Sequence, residues 1–378
     1  MKKSICFVVA VPITAQAFLC DHIKVLSRDY DIYLAGNINS NVEVEGLSIV
    51  GWHHVDIERG ISLIKDLKAV FQLRRYFSNM RFDAVHSVTP KAGLVTALAG
   101  VLAGIEHRTH IFTGQVWCTR SGLIRFILKT MDIILVRLDN HFLVDGKSQR
   151  SFLIEEGVLH EGQAEVFGFG SISGVNSIRF TPDMESRISV RSEVGIKEDT
   201  ICFIFLGRLN RDKGIDELYR AFDRLAGEVQ NVFLLLVGYD EEGYVDKVTT
   251  FKNIVVGTNF YYYGRVPAPE KVLNAGDVFV LPTYREGFGT SIIEAASVGI
   301  PCISTDAYGV KDAYIDGETG LCFPVGDVNA LYECMKKMYN NPDMIKQMGK
   351  MSRVRALRDF NGADLTKCWV DFYHKFLN

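Results

Sequence analysis

A chain of 378 residues, 48% hydrophobic and 23% charged with a net charge of −3, is too long for one typical core and has the composition of a globular protein of two domains. That near-neutral balance excludes a protein that binds nucleic acid over its whole surface. The eight cysteines, at 6, 20, 118, 202, 302, 322, 334 and 368, form no C-x-x-C pair, and several lie inside apolar runs, as in a reduced cytoplasmic protein.

Met1-Lys2-Lys3 followed by Ile5-Cys6-Phe7-Val8-Val9 imitates a signal peptide, but the run is short and no small-residue cleavage site follows, so a first β-strand is expected. The longest uncharged segment, Ala92 to Ile105, is too short to cross a bilayer. A cytoplasmic protein is expected, able to sit on the inner face of a membrane. Strand-like runs at 4–9, 30–35, 47–50, 84–87, 110–113 and 141–144 alternate with amphipathic helices over 16–27, 61–77 and 91–103. This order predicts an α/β protein of doubly wound parallel sheets, whose ligands bind at the carboxyl ends of strands. Val11 to Thr14, His86 to Lys91 and Thr113 to Gln115 then share one rim, and Thr14, His86, Lys91 and Gln115 are its candidate acceptor contacts. As lone histidines, His86 and His110 also fit a structural role.

Asp29-Tyr30-Asp31 resembles an acidic metal-binding pair, but it enters a strand instead of leaving one, which is the wrong edge for a ligand; no metal site is expected. Residues 121–138 are apolar over most of a helical circumference, with Arg125 and Lys129 four apart and Arg120 and Arg137 flanking. Such a helix is expected to be buried with snorkelling cations, the alternative being a basic apolar surface that meets an anionic membrane. The glycine- and serine-rich stretch 167–174 suits a hinge. Domains are therefore expected at 1–170 and 171–360, with a helix at 361–378 that crosses back to the first. That helix carries Trp369, Phe372, Tyr373 and Phe376 at helical spacing, a packing pattern.

The second half restarts the alternation at 201–206, 232–237, 254–256, 278–281 and 301–304. After the fourth of these strands comes Glu286-Gly287-Phe288-Gly289-Thr290, which opens a helix containing Glu294. Such a loop leaves backbone N–H groups free in front of a helix dipole, which suits a diphosphate. Glu286 and Glu294 repel phosphate, so they are suited to accept hydrogen bonds from the hydroxyls of a nucleotide-sugar, although acids at a helix start are common in any case. After the first strand, Gly207-Arg208-Leu209 and Lys213-Gly214 place two cations at the same edge, within reach of that diphosphate.

These segments, with Gly264-Arg265-Val266, Asp277 to Pro282, Gly299-Ile300-Pro301 and Asp316 to Gly320, resemble the retaining glycosyltransferases of family 4. The resemblance implies the GT-B fold, two Rossmann-like domains facing each other across a cleft. His86 to Gly93, Phe112 to Trp117 and Gly170 to Val175 further resemble members that build bacterial O-antigen, capsule and related lipid-linked glycans. Carried over, it implies that Arg208 and Lys213 neutralise the donor diphosphate and that Glu294 accepts from the ribose. Glu286 would contact the transferred sugar, Gly287, Phe288, Gly289 and Thr290 would hold phosphates and sugar through their amides, and the backbone at Arg265 and Val266 would read the base. The chain departs from many members in lacking glycines over Ala10 to Thr14 and a histidine just beyond Thr113-Gly114.

The expected activity is a retaining, metal-independent transfer of a hexose or N-acetylhexosamine from a nucleotide-sugar, a uridine one, to an undecaprenyl-diphosphate-linked saccharide, with no cofactor. The rivals are a nucleotide-sugar epimerase of the same fold and a non-catalytic sugar-binding protein. A dehydrogenase is disfavoured because no G-x-G-x-x-G follows the first strand. The sugar, the accepting hydroxyl and the oligomeric state stay open.

Overall fold

The computed structural model describes residues 2–58 and 62–377. Met1 of the opening motif and Ile61, expected to begin a helix, lie outside them. The chain divides into two compact units, Met1–Ser173 with Gly362–Asn378, and Gly174–Asn361.

The first unit contains β1 (Lys3–Val9), α1 (Pro12–Phe18), α2 (Cys20–Leu26), β2 (Tyr30–Gly36), β3 (Gly51–His54), α3 (Leu63–Met80), β4 (Ala84–Val88), α4 (Pro90–Ala103), β5 (His107–Phe112), α5 (Gly122–Leu138), β6 (His141–Val144), α6 (Lys147–Glu155) and β7 (Ala164–Glu165). The second contains α7 (Met184–Val194), β8 (Ile201–Leu206), α8 (Ile215–Glu228), β9 (Val232–Val237), α9 (Tyr244–Lys247), β10 (Phe260–Gly264), α10 (Pro269–Leu273), β11 (Val278–Leu281), α11 (Thr290–Ser297), β12 (Cys302–Thr305), β13 (Gly320–Phe323), α12 (Val328–Tyr339) and α13 (Pro342–Asp359). The chain then returns to the first unit as α14 (Gly362–His374). The pairings are parallel, in the order β3-β2-β1-β4-β5-β6-β7 in the first sheet and β10-β9-β8-β11-β12-β13 in the second.

A central parallel strand is buried on both faces, which is why β1 reads as an unbroken apolar run. Its side chains alternate between two cores. Ile5, Phe7 and Val9 meet α1, α2 and α14, whereas Cys6 and Val8 meet α3 and α4. Helix α14 contributes Trp369, Phe372 and Tyr373, all buried, and the Trp369 indole donates to the Ile172 carbonyl at 2.9 Å. On the opposite face α4 lies close because it is built of small residues. A Cβ on Gly93 would fall 2.6 Å from the His110 ring.

Several expected elements move. Residues 47–50 are not a strand: Leu47 and Ile49 turn inward onto the core, Val50 is exposed, and the ladder is carried by β3 immediately after. In the second unit Val255 and Val256 are exposed in a turn, with only a bridge from Val256 to Phe260, and β10 forms the edge instead. The helix expected over 16–27 starts earlier, with Pro12 at its first position, and breaks at Leu19 into α1 and α2. Helix α5 is not a buried element, since only Asp132 and Leu135 along it are buried. Among the described residues no helix is long and apolar enough to cross a membrane.

Asp139 caps the C-terminal end of α5 in a buried position where neither carboxylate oxygen has a hydrogen-bond partner among the described residues. Burial pushes its carboxyl up to about 7, with the nearby Arg108 opposing. The folded-state value lies above the unfolded one, so its contribution is fully present below pH 4 and is lost as the pH rises towards 7. Asp139→Asn is therefore expected to raise the melting temperature at pH 8 and to leave it nearly unchanged at pH 4, as scanning calorimetry at both pH values will read.

Candidate functional site

The carboxyl edge of the second sheet is a set of close backbone approaches. A Cβ on Gly238, at the end of β9, would lie 1.8 Å from the Gly207 carbonyl oxygen at the end of β8, and a Cβ on Gly214 would lie 2.0 Å from the Pro282 carbonyl oxygen. Both glycines have positive φ, +138° and +71°. The loop after β8 is thereby seated on the end of β11 and laced to it. The Asp212 carbonyl accepts from the Tyr284 amide at 2.8 Å and from Thr283 Oγ1 at 2.9 Å, and the Asp212 carboxylate meets Arg285 Nη2 at 2.7 Å.

That lacing brings the expected cations to the expected loop. Lys213 Nζ pairs with Glu286, both side chains mostly enclosed. Arg208 is half exposed, and its Nη1 lies 2.9 Å from both oxygens of Glu241. Asn210 Nδ2 also donates to Glu241, at 2.7 Å, while its side-chain oxygen accepts from the Lys213 amide at 3.2 Å. Glu241, Asn210, Asp212 and Arg285 thus hold the two cations in place. Reading the chain alone did not single them out as contacts.

Beyond Glu286 the loop turns inward. Phe288 is buried against Phe360, with ring centroids 5.2 Å apart, and Gly289 takes φ +76° as the residue before α11. The amides of Gly287, Phe288 and Gly289 donate to no acceptor among the described residues. With Thr290 opening α11, they give a buried row of donors at a helix start, a site for an anion. Gly309 supports the loop from behind, since a Cβ there would lie 2.4 Å from the Gly287 carbonyl oxygen. Glu294 stands one turn into α11; part of the residue reaches solvent, but its carboxyl group is enclosed by protein. Burial pushes it up to about 7, Arg179 opposing and Glu270 adding to the shift. Arg265 is exposed and Val266 half-buried just after β10, which β9 separates from the strand that leads into the Arg208 loop.

The candidates of the first unit are placed differently. His86 is not on the rim: it is fully buried two residues before the end of β4, bonded to the Tyr373 hydroxyl and stacked on Phe7 at 5.1 Å. Burial holds it well below the usual histidine range, so it is a neutral core residue. His110 is equally buried, 2.8 Å from Ser87 Oγ. Thr14 is buried within α1 and is not in a loop. Lys91 opens α4 with its ammonium 2.6 Å from Asp66. Gln115 is buried just beyond β5, in contact with Gln149 at 3.4 Å. Asp29 lies in the turn before β2 and Asp31 at its start.

Residues 186–355 match the family described as glycosyl transferases group 1. They form a group 1 glycosyltransferase domain. The chain is 28% identical over 326 residues to the capsular polysaccharide biosynthesis glycosyltransferase CapM of Staphylococcus aureus, covering 86% of this chain and 85% of that protein. It is 23% identical over 309 residues to the Escherichia coli UDP-Gal:alpha-D-GlcNAc-diphosphoundecaprenol alpha-1,3-galactosyltransferase, covering 80% and 78% respectively. Among solved structures, Anabaena HepE in complex with UDP and glucose resembles it in fold, with a TM-score of 0.81 at 16% identity over 99% of this chain and 100% of that one. The two parallel-sheet units thus have the expected GT-B architecture.

In this domain the seat of the cation loop is testable. Gly214→Ala adds a methyl group where the Pro282 carbonyl already is, and is expected to cost roughly 1–3 kcal/mol in urea denaturation. Gly257→Ala, at φ +77° with open space around its Cβ, keeps only the backbone penalty of about 1 kcal/mol.

Proposed function

We propose that this glycosyltransferase transfers a hexose or N-acetylhexosamine from a uridine diphosphate sugar to an undecaprenyl-diphosphate-linked saccharide in the synthesis of a bacterial surface polysaccharide, with retention at the anomeric carbon and without a metal. The observation that carries the reading is the contact of Lys213 with Glu286 beside the unpaired amides of Gly287 to Gly289. A sugar and its β-phosphate are joined by one oxygen, so groups serving them must also be neighbours. The relatives named for capsule synthesis and for a diphosphoundecaprenol acceptor support the acceptor class.

On this reading the donor diphosphate lies over the loop amides between Lys213 and Arg208, and Glu286 turns from Lys213 to the sugar hydroxyls. The acceptor hydroxyl attacks the anomeric carbon from the side of the departing group. The bond from that carbon to the β-phosphate oxygen breaks, and the leaving diphosphate takes the hydroxyl proton. Arg208, Lys213 and the loop amides stabilise the charge that grows on the diphosphate.

UDP release from a panel of nucleotide-sugars, with and without a polyprenyl-diphosphate-saccharide extract and in excess EDTA, tests this. Release that needs the extract and survives EDTA is expected; donor conversion without the extract would make the protein an epimerase, and loss in EDTA would restore a metal. Replacing Arg208 or Lys213 by Ala is expected to lower kcat by roughly 10²–10³, the cost of one preorganised donor.

Glu294 adds a pH signature. Accepting from ribose hydroxyls favours its ionised form, whereas burial raises it to about 7. UDP is therefore expected to bind about tenfold more weakly at pH 6 than at pH 8, because the ionised fraction falls by that factor. Titration calorimetry of Glu294→Gln should show weaker and pH-independent binding.

A further inference from the structure

We infer that the outward faces of α3 and α5 form one docking surface for an anionic lipid bilayer. Both faces are apolar where a solvent-facing helix is polar. Leu63, Ile64, Leu67 and Phe71 stand out from α3, with Leu63 82% and Ile64 84% exposed. Leu123, Ile124, Phe126 and Ile127 stand out from α5, with Leu123 72% and Phe126 68% exposed. Single exposed apolar residues need no explanation, but eight of them on two helices of one layer make a patch. Both helices pack on α4, which separates the two rows by about 20 Å at ordinary interaxial spacing. Both rows lie in the N-terminal halves of their helices. In a parallel sheet those halves stand at the edge where the strands end.

Charge selects the partner. The acids within α3, α4 and α5 are Asp66 and Asp132. Asp66 is held by Lys91, and Asp132 is buried with the Trp117 indole 2.7 Å away. Arg125 and Lys129, which the alternative reading of this helix turned to a membrane, instead pair with Glu156 at 2.6 and 2.7 Å. Lys65 and Lys68 likewise pair with Glu58 and Asp56. What flanks the apolar rows are Arg74 and Arg75 on α3 and Arg120 and Arg137 at the two ends of α5, all exposed and without an ion pair among the described residues. A face of apolar side chains edged by guanidinium groups suits the headgroup boundary of an anionic bilayer. It does not suit a second copy of itself, since a symmetric contact would set these like charges against each other. The surface suits the lipid-linked acceptor proposed above, but the argument stands on the two helices alone.

Sedimentation of the full chain with vesicles is the test, using phosphatidylcholine alone or with 30% phosphatidylglycerol. Binding is expected with phosphatidylglycerol and is expected to weaken in high salt. Ile64→Gln with Phe71→Gln, and Leu123→Gln with Phe126→Gln, are each expected to lower partitioning roughly 10- to 100-fold. The melting temperature and UDP affinity should be unchanged, because these side chains are exposed and belong to the first unit, whereas the donor loops belong to the second. Absence of binding to phosphatidylglycerol vesicles by the unaltered chain would overturn the inference, as would variants that bind as well as the parent. A concentration-dependent dimer dispersed by the same substitutions would assign the surface to a second copy. Loss of vesicle binding with UDP binding intact would leave the transferase reading untouched.

Discussion

The donor edge of the second unit depends on the backbone carbonyl of Asp212. It receives the Tyr284 amide and the Thr283 hydroxyl and so ties the loop after β8 to the loop after β11. One hydrogen bond of this kind contributes only about 0.5–1.5 kcal/mol net. Here the bonds act with steric fit, because Gly214 lets the two loops touch where any side chain would collide. Lys213 and Glu286 meet because the loops that carry them cannot separate. A charge held in place before the ligand arrives needs no reorganisation during reaction, which is where electrostatic stabilisation gains its size.

The first unit uses its charges differently. Trp117 is enclosed by Arg125 at 5.2 Å, Lys129 at 5.8 Å and a stacked Phe152, and its indole donates to Asp132. Burial pushes the Asp132 carboxyl up to about 6, with the indole bond opposing. Arg125, Lys129 and Asp132 of α5 are therefore satisfied on its inner side, and the outer side of its N-terminal half is left apolar. Since Leu135 packs into the core with Leu128, Ile133 and Val136 against it, α5 is apolar on both sides, whereas an ordinary surface helix turns its one apolar stripe to the core. Alternation along β4 likewise gives His86 to the face covered by α14, so the ring is packing for Trp369 and Tyr373.

Central strands were legible in the chain because burial on both faces leaves an unbroken apolar signature, as in β1, β8, β9 and β11. Edge strands were not. β3 reads Gly-Trp-His-His and β10 is rich in tyrosine, whereas the more apolar runs near them, at 47–50 and 254–256, lie outside the strands. The same division holds at the donor loops. Arg208, Lys213, Glu286 and Glu294 could be singled out because their roles follow from local order along strand, loop and helix. Glu241 lies 33 residues from Arg208, and Asp212 lies 73 from Arg285, so their pairing is a product of tertiary contact. His86 misled for a related reason: its partner Tyr373 is 287 residues away, and nothing near His86 announces that a helix covers it.

The return of the chain through α14 has a consequence for how the protein is made. The core beneath β1 contains Trp369, Phe372 and Tyr373, yet residues 174–361 are translated between that strand and this helix. The second unit is continuous and can close as soon as it clears the ribosome. The first must wait with one face of its sheet only partly covered, by α1 and α2, until the helix has emerged, although its strands are synthesised earlier. Its N-terminal segment is thus the part most in need of a chaperone during synthesis, and the part whose final closure reports that everything between has been made.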